Sequence, residues 1–552
     1  MAGRRRFALA ALMVCALPLM PSARQTAPKL LVVIAVDQMR GDYVDKYRQQ
    51  WSAGLKRLVE EGAWFRQADY PYFNTVTCAG HASISTGTIP AVHGMILNAW
   101  WDRAANKSVA CTDDPNEHLI SYGAPVESVG QSARKLLAPA LADELRLQHG
   151  AATRVVSISL KARSAINLGG HKPDVVTWLD DSGTFVTSTA FTKAPVPFVD
   201  RYIRSHPVDG ELGRVWDRLL PRERYIYDDS TVGRHNPAIG TTTFPHTVGK
   251  KGGHMDEATA AAWEASPFSD AYLAALAIDA VTAMKLGRGD GVDFLGVSFS
   301  ALDKVGHDFG PDSHEVQDVL MRLDREIGSL LTTLDREVGR GSYTLALSAD
   351  HGVSPVVERL VEQGFDAGRV PVTQLAAAID KALQPILGPG KYVAKVVHTD
   401  VYFLPGVYDR IKQTPDAMTA AIQTIRNTPG VWRVYRGEAL ADGDYDADPI
   451  TRAASRSYFI GRSGDLVLLP RAYWVTSDST TTHGTGHRYD TRVPVILFGR
   501  GIKPGQYLDP ISPLDIAPTL AFLTSVTLAD PFGRLLTEAL AQEETAHTDG
   551  KW

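Results

Sequence analysis

The sequence predicts an α/β fold, a mostly parallel central sheet with helices on both faces and cap insertions. Three observations carry this. Residues 30–36 (LLVVIAV), 293–300 (DFLGVSFS) and 343–348 are near-continuous apolar runs, the pattern of strands buried on both faces of a parallel sheet. Helical periodicity separates them, most clearly at Val316, Val319, Leu320, Leu323, Ile327, Leu330, Leu331, Leu334 and Val338. Polar residues follow the runs at Asp37, Asp303 and Asp350-His351-Gly352, where open α/β sheets place their chemistry.

Taken in order, residues 1–23 have the form of a signal peptide. Arg4, Arg5 and Arg6 precede an apolar run, 7–17, that is too short to span a bilayer and is broken by Pro18. Removing the segment leaves 54 basic against 62 acidic residues and moves the net charge from -5 to -8. No basic run follows residue 6 and aromatic and basic residues do not interleave, which argues against a nucleic-acid partner. The expected product is a periplasmic or secreted monomer with no membrane anchor. A catalytic domain is expected over 28–540. Cys15 would leave with the signal. Cys78 and Cys111 remain, either as a disulfide or as two buried thiols.

Residues 51–59 read as an amphipathic helix. Thr77 caps a helix expected to start near Cys78, where free N–H groups favour phosphate. Residues 154–160 read as a strand running into Lys161-Ala-Arg163, and 180–188 as a hairpin. Residues 235–253 read as a loop, and 258–286 as two helical pieces divided at Pro267. Insertions are expected near 170–260, capping the site, and near 355–475, where no chemistry stands out. A late strand covers 493–499, and Ser512-Pro513 starts a helix. The alternating Asp442, Asp444, Asp446 and Asp448 lack the Gly and Glu of a calcium loop and read as a solvated acidic loop.

The candidate metal ligands are Asp37, Asp303, His307, Asp350, His351 and His483, with His487 a rival for the last. Asp303 and His307 stand one helical turn apart. Asp350 and His351 can serve one site only if their strand ends before them. This mix of oxygen and nitrogen donors suits Zn²⁺. Asp37, Asp350 and His351 with Thr77 Oγ would complete one site, and Asp303, His307 and His483 a second. Two such metals clamp the attacking and leaving oxygens of an in-line displacement at phosphorus. A threonine hydroxyl coordinated to one of them becomes a competent nucleophile. Asn98, Lys161 and Arg163 offer donors for phosphoryl oxygens, the last two on one side if their segment is extended.

The motifs VDQMRGDY from residue 36, TCAGHASISTGTIPAVHG, ALDKVGHDFGP, SADHG, THGTGHRYDTRVPVILFG and DIAPTLA follow one another along nearly the whole chain. In that order they resemble the alkaline phosphatase superfamily, in its Thr-nucleophile branch, which also holds nucleotide pyrophosphatase/phosphodiesterases. The resemblance implies that Thr77 is the nucleophile, that Asn98 binds phosphate, and that two Zn²⁺ ions are held as above. It favours His483 over His487. The Lys-x-Arg pair at 161 and 163 is similar to that of periplasmic monoesterases, which implies small-molecule phosphate monoesters as substrates. A phosphodiesterase on the same metals and a non-catalytic phosphate- or metal-binding protein are the alternatives. No ligand set for a third, Mg²⁺ site is found.

Overall fold

The computed structural model describes residues 27–234, 239–443 and 448–541. The expected signal peptide, Asp444 and Asp446 lie outside these residues. Asp448 caps the helix Pro449–Ser457, its carboxylate accepting the N–H groups of Ile450 and Thr451. No helix among the described residues is long and apolar enough to cross a membrane.

Among those residues the largest sheet has ten strands. In chain order they are β1 (Leu30–Val36), β2 (Ala63–Asp69), β3 (Leu119–Ser121), β4 (Val155–Ser159), β5 (Val175–Leu179), β6 (Phe185–Ser188), β7 (Asp293–Phe299), β8 (Tyr343–Ser348), β9 (Arg492–Gly499) and β10 (Gly505–Tyr507). Their spatial order is β10-β2-β9-β8-β1-β7-β4-β5-β6-β3. The middle five, β8-β1-β7-β4-β5, are all parallel. The late strand β9 runs antiparallel to both its neighbours.

All seven side chains of β1 are buried. Strand alternation sends Leu30, Val32, Ile34 and Val36 into one apolar cluster and Leu31, Val33 and Ala35 into another. The first cluster includes side chains of the helix His314–Leu334, the second those of the helices Leu141–His149 and Ile516–Leu523. Both faces of the sheet are thus covered by helices, and a near-continuous apolar run is what such a strand requires.

Register aligns the strand exits. Val36 pairs with Phe299, Ala35 with Ser348, and Ser298 with Ser159. Asp37, Asp303, Asp350 and Lys161 therefore leave four adjacent parallel strands at one edge. At about 4.8 Å per strand, that edge is about 15 Å wide.

We label the site helices α1 (Thr77–Thr86), α2 (Ala162–Gly169), α3 (Ala301–Phe309) and α4 (His314–Leu334). The helix expected over 51–59 runs from Gly54 to Glu61. Its start is fixed from outside, because Asp324 on α4 accepts the N–H groups of Ser52, Ala53 and Leu55. The helical piece over 258–286 is divided at Pro267 as expected, into Glu257–Glu264 and Pro267–Ala283. Lys161-Ala-Arg163 is not extended. Lys161 is the N-cap of α2 and Arg163 lies in its first turn.

The first expected insertion begins later than residue 170, because β5 and β6 belong to the main sheet. Beyond them lies a two-stranded ribbon, Arg214–Trp216 with His246–Val248. The segment 355–475 contains a four-stranded antiparallel sheet, Val393–Val397, Asp400–Phe403, Leu466–Pro470 and Val431–Arg436. Helices Val372–Leu387 and Pro415–Arg426 share an apolar core with it.

Helix α1 lies against the loop that follows β8, and Gly80 sets how closely. A Cβ there would fall 2.2 Å from Asp350 O and 2.5 Å from Asp350 Cα. Gly80→Ala should lower stability by about 1–3 kcal/mol, read as a lower urea midpoint, because backbone and not a mobile side chain must give way. An unchanged midpoint would show that the contact is not this close.

Candidate active site

Three imidazoles are oriented the same way. His307 Nδ1 meets Thr481 O, His351 Nδ1 meets Gly352 O and His483 Nδ1 meets Thr75 O, each at 2.9 Å. A carbonyl only accepts, so each Nδ1 carries the proton, and in the neutral ring Nε2 keeps its lone pair. Burial pushes the pKa of His351 down. Burial, then the neighbouring His351 and His307, push His483 down much further. Burial opposes charge on His307 as well, but Asp303 outweighs it and raises that pKa.

The Nε2 atoms converge on carboxylates. His307 Nε2 lies 3.2 Å and His483 Nε2 3.8 Å from Asp303 Oδ1. His351 Nε2 lies 3.4 Å from Asp37 Oδ1 and 3.3 Å from Asp350 Oδ2. Two groups result, Asp303-His307-His483 and Asp37-Asp303-His351, each with ligand atoms within 4.8 Å of one another. Asp303 belongs to both.

These residues fit divalent metal ions. Asp37 Oδ1 and His351 Nε2 are buried and hydrogen-bond to nothing. His81 Nδ1, 3.2 Å from Asp350 Oδ2, lies closer to Thr77 O, at 2.9 Å. This is an expensive condition unless a cation accepts these lone pairs. Ligands bonded at 2.0–2.1 Å in a tetrahedron stand about 3.3 Å apart, close to the 3.3 and 3.4 Å separations around His351 Nε2. Charge agrees with geometry, since three buried carboxylates face one ammonium, Lys161. Its Nζ lies 2.6 Å from Asp37 Oδ2 and also bonds Asp303 Oδ2. Burial works against that ammonium, but Asp303 and Asp37 outweigh it and raise its pKa. Burial, with Asp303 and Asp350 close by, pushes Asp37 well above the carboxylate range. At Asp303 burial acts in the same direction, but Lys161 and His307 prevail and hold it far below.

Most predicted site residues meet here. Asp303 and His307 share a face of α3. β8 ends at Ser348, so Asp350 and His351 lie in the following loop, both fully buried. His483 joins the cluster. His487 instead meets Pro470 O and packs beside Trp432 and Tyr489. Thr77 is the first residue of α1 and is 1% exposed. The carbonyl of Thr75, two residues before it, is the one that holds His483. The Cys78 N–H donates to Asn98 Oδ1 at 2.9 Å, and since a backbone N–H only donates, the Asn98 NH₂ is left for another partner. Arg163 lies two residues after Lys161, in the first turn of α2. Cys78 and Cys111 form a disulfide.

Sequence reasoning missed several parts of the site. Gln38 is buried at φ 67°. Its backbone N–H donates to Asp350 Oδ1 at 3.1 Å and its side-chain Nε2 to Asp303 Oδ1 at 2.7 Å. Gly306 leaves room for it, since a Cβ there would lie 1.8 Å from Gln38 Oε1. His81 Nδ1 stands 3.2 Å from Asp350 Oδ2, while its Nε2 meets Ser298 Oγ at 2.8 Å. Asp270 Oδ1 accepts the N–H groups of Ser300 and Ala301 and so fixes the start of α3. His398, between the strands Val393–Val397 and Asp400–Phe403, packs on Gly484 beside His483, so the second insertion reaches the site. The only sequence signal for Gln38 was its place after a strand-end Asp. Its bonds depend on a left-handed backbone conformation that an L-residue other than Gly, Asn or Asp seldom announces.

Comparison with known proteins agrees with this geometry. Residues 31–491 match the family model described as Type I phosphodiesterase / nucleotide pyrophosphatase. The chain is 32% identical to alkaline phosphatase PafA of Elizabethkingia meningoseptica over 93% of its own length and 95% of that protein's. It is 30% identical to alkaline phosphatase PhoV of Synechococcus elongatus, over 93% of each. The crystal structure of PafA superposes with a TM-score of 0.85 at 30% identity, covering 94% of this chain and 99% of that one. Murine ectonucleotide pyrophosphatase / phosphodiesterase 5 shares the fold, with a TM-score of 0.54 at 15% identity over 93% of this chain and all of that one. The chain belongs to the Type I phosphodiesterase / nucleotide pyrophosphatase family, in the Thr-nucleophile branch of the alkaline phosphatase superfamily.

Gln38 ties Asp303 to Asp350 without being a ligand candidate. Gln38→Ala should weaken metal retention about 10–100-fold in competition against a chromophoric chelator. Retention equal to wild type would show that the two carboxylates hold their positions without it.

Proposed function

We propose that the chain is a zinc-dependent alkaline phosphatase, exported and monomeric, that hydrolyses small-molecule phosphate monoesters through a phosphothreonine on Thr77. One observation carries the reading. The Lys161 ammonium bonds Asp37 and Asp303, carboxylates of the two ligand groups, and so stands between them with Arg163 nearby. A phosphoryl group spanning two metals would be met there by positive charge. A monoester presents oxygens to that charge, where a diester carries a second substituent.

Asp303, His307 and His483 would hold one Zn²⁺, and Asp37, Asp350 and His351 with Thr77 Oγ the other. When bound, the ions lower the pKa of a coordinated hydroxyl and neutralise charge on the attacking and leaving oxygens. The Thr77 Oγ forms a bond to phosphorus as the bond to the alcohol oxygen breaks. Water then cleaves the phosphothreonine, releasing phosphate and restoring the hydroxyl. Throughout, the Asn98 NH₂, Lys161 and Arg163 donate to the phosphoryl oxygens. Gly80 keeps α1 against the Asp350 loop, and the Thr75 carbonyl keeps His483 in its tautomer. The relatives named alkaline phosphatases support the monoesterase reading. The arginine-led apolar segment 7–17 supports export, and so does the disulfide.

The test compares p-nitrophenyl phosphate with its bis-ester. The monoester should be the better substrate, and Lys161→Ala should lower its kcat/KM about 100-fold while slowing the diester far less. Thr77→Ala should be inactive on both. Faster turnover of the diester, with a monoester rate indifferent to Lys161, would make the enzyme a phosphodiesterase.

A further inference from the structure

The Cys78–Cys111 bridge adjoins the nucleophile, and both of its residues hold Asn98. The Cys78 N–H donates to Asn98 Oδ1 at 2.9 Å. The Cys111 N–H donates to the Asn98 carbonyl, also at 2.9 Å. Cys78 directly follows Thr77 in the first turn of α1. Cys111 directly follows the second strand of a hairpin, Ala99–Asp102 with Lys107–Ala110, that begins immediately after Asn98. Both cysteines are fully buried. One hydrogen bond therefore sets the rotation of the Asn98 amide, the other sets its backbone, and the covalent bond joins the two donors across a 33-residue separation.

We propose that this disulfide is a positioning device, which clamps Asn98 to the first turn of α1 so that its NH₂ and Thr77 Oγ address the same phosphoryl group. The inference rests on the phosphomonoesterase reading above. Asn98 is carried by the segment between α1 and the hairpin, a stretch joined to α1 at one end by the chain and at the other by the bridge. The residues before Asn98 are anchored independently, by the buried side chains of Met95, Ile96 and Leu97. Asn98 itself is held against the first turn of α1 by two neutral hydrogen bonds and the bridge, and a neutral hydrogen bond adds little net stability in water. Lys161 is the N-cap of α2 and Arg163 lies in its first turn. Every candidate ligand but Thr77 comes from a segment outside the bridged stretch, so the bridge bears on Thr77 and Asn98 before any of them. Reduction should therefore remove the Asn98 contribution selectively and tie full activity to an oxidising compartment.

A double-mutant cycle separates positioning from general stabilisation. In the disulfide-bonded enzyme, Asn98→Ala should lower monoester kcat/KM about tenfold or more and weaken inhibition by inorganic phosphate to match. In Cys78→Ala/Cys111→Ala the same change should cost less than about threefold, because Asn98 is already misplaced. Zinc content of the cysteine-free enzyme should equal wild type. If that pair does not fold, wild type is instead reduced in steps with a water-soluble phosphine. The phosphine takes an oxygen from water as it becomes phosphine oxide and leaves two thiols. Phosphate inhibition should then weaken in proportion to free thiol at constant zinc. An equal cost of Asn98→Ala in both backgrounds overturns the clamp, and so does zinc loss that accompanies bridge loss. A silent Asn98→Ala in wild type would fault the assignment of the site itself, and the clamp with it.

Discussion

A buried excess of negative charge is the constraint around which this protein is built. Asp37, Asp303 and Asp350 leave adjacent parallel strands at one sheet edge, and almost none of their surface reaches water. Like charges so placed repel and lose hydration, a condition that persists only where cations or donors compensate. Lys161 supplies one positive charge, and Gln38, the backbone and three imidazoles orient what remains. The oxygens and nitrogen left without hydrogen bonds are the ones that point at one another across the cluster. A site for divalent cations is what such an arrangement amounts to.

The scaffold accounts for how so many polar groups can be buried together. Register in the parallel sheet places four strand exits side by side, so residues from 37 to 350 meet without long loops. Small residues then let the parts approach. Gly80 brings α1 onto the backbone of Asp350, and Gly306 admits Gln38 beside Asp303. The carbonyls that receive Nδ1 of His307, His351 and His483 belong to loops.

Much of this was legible in the sequence because its cause is local. The apolar runs of β1, β7 and β8, the i to i+4 spacing of Asp303 and His307, and the division at Pro267 follow from periodicity and backbone chemistry alone. The choice of His483 over His487 rests on family resemblance; the structure places His483 beside Asp303 and His307, and His487 against Pro470. What could not be read depends on tertiary placement. The Lys161-Ala-Arg163 segment turns helical at its second residue, so the two side chains do not share a side by strand alternation. β5 and β6 look like an insertion in sequence yet add to the main sheet. Gln38, His81 and His398 matter through contacts that span from 86 positions, His398 to Gly484, to 312, Gln38 to Asp350, and no spacing rule announces them.

The two-metal cluster is the claim on which the rest stands, and anomalous diffraction at the zinc edge from crystals grown with phosphate addresses it directly. The account predicts two zinc peaks about 4 Å apart, one among Asp303, His307 and His483 and one among Asp37, Asp350 and His351. Phosphate should lie between them, within reach of Lys161 and Arg163. A single peak, or a metal held by His487 in place of His483, would contradict it.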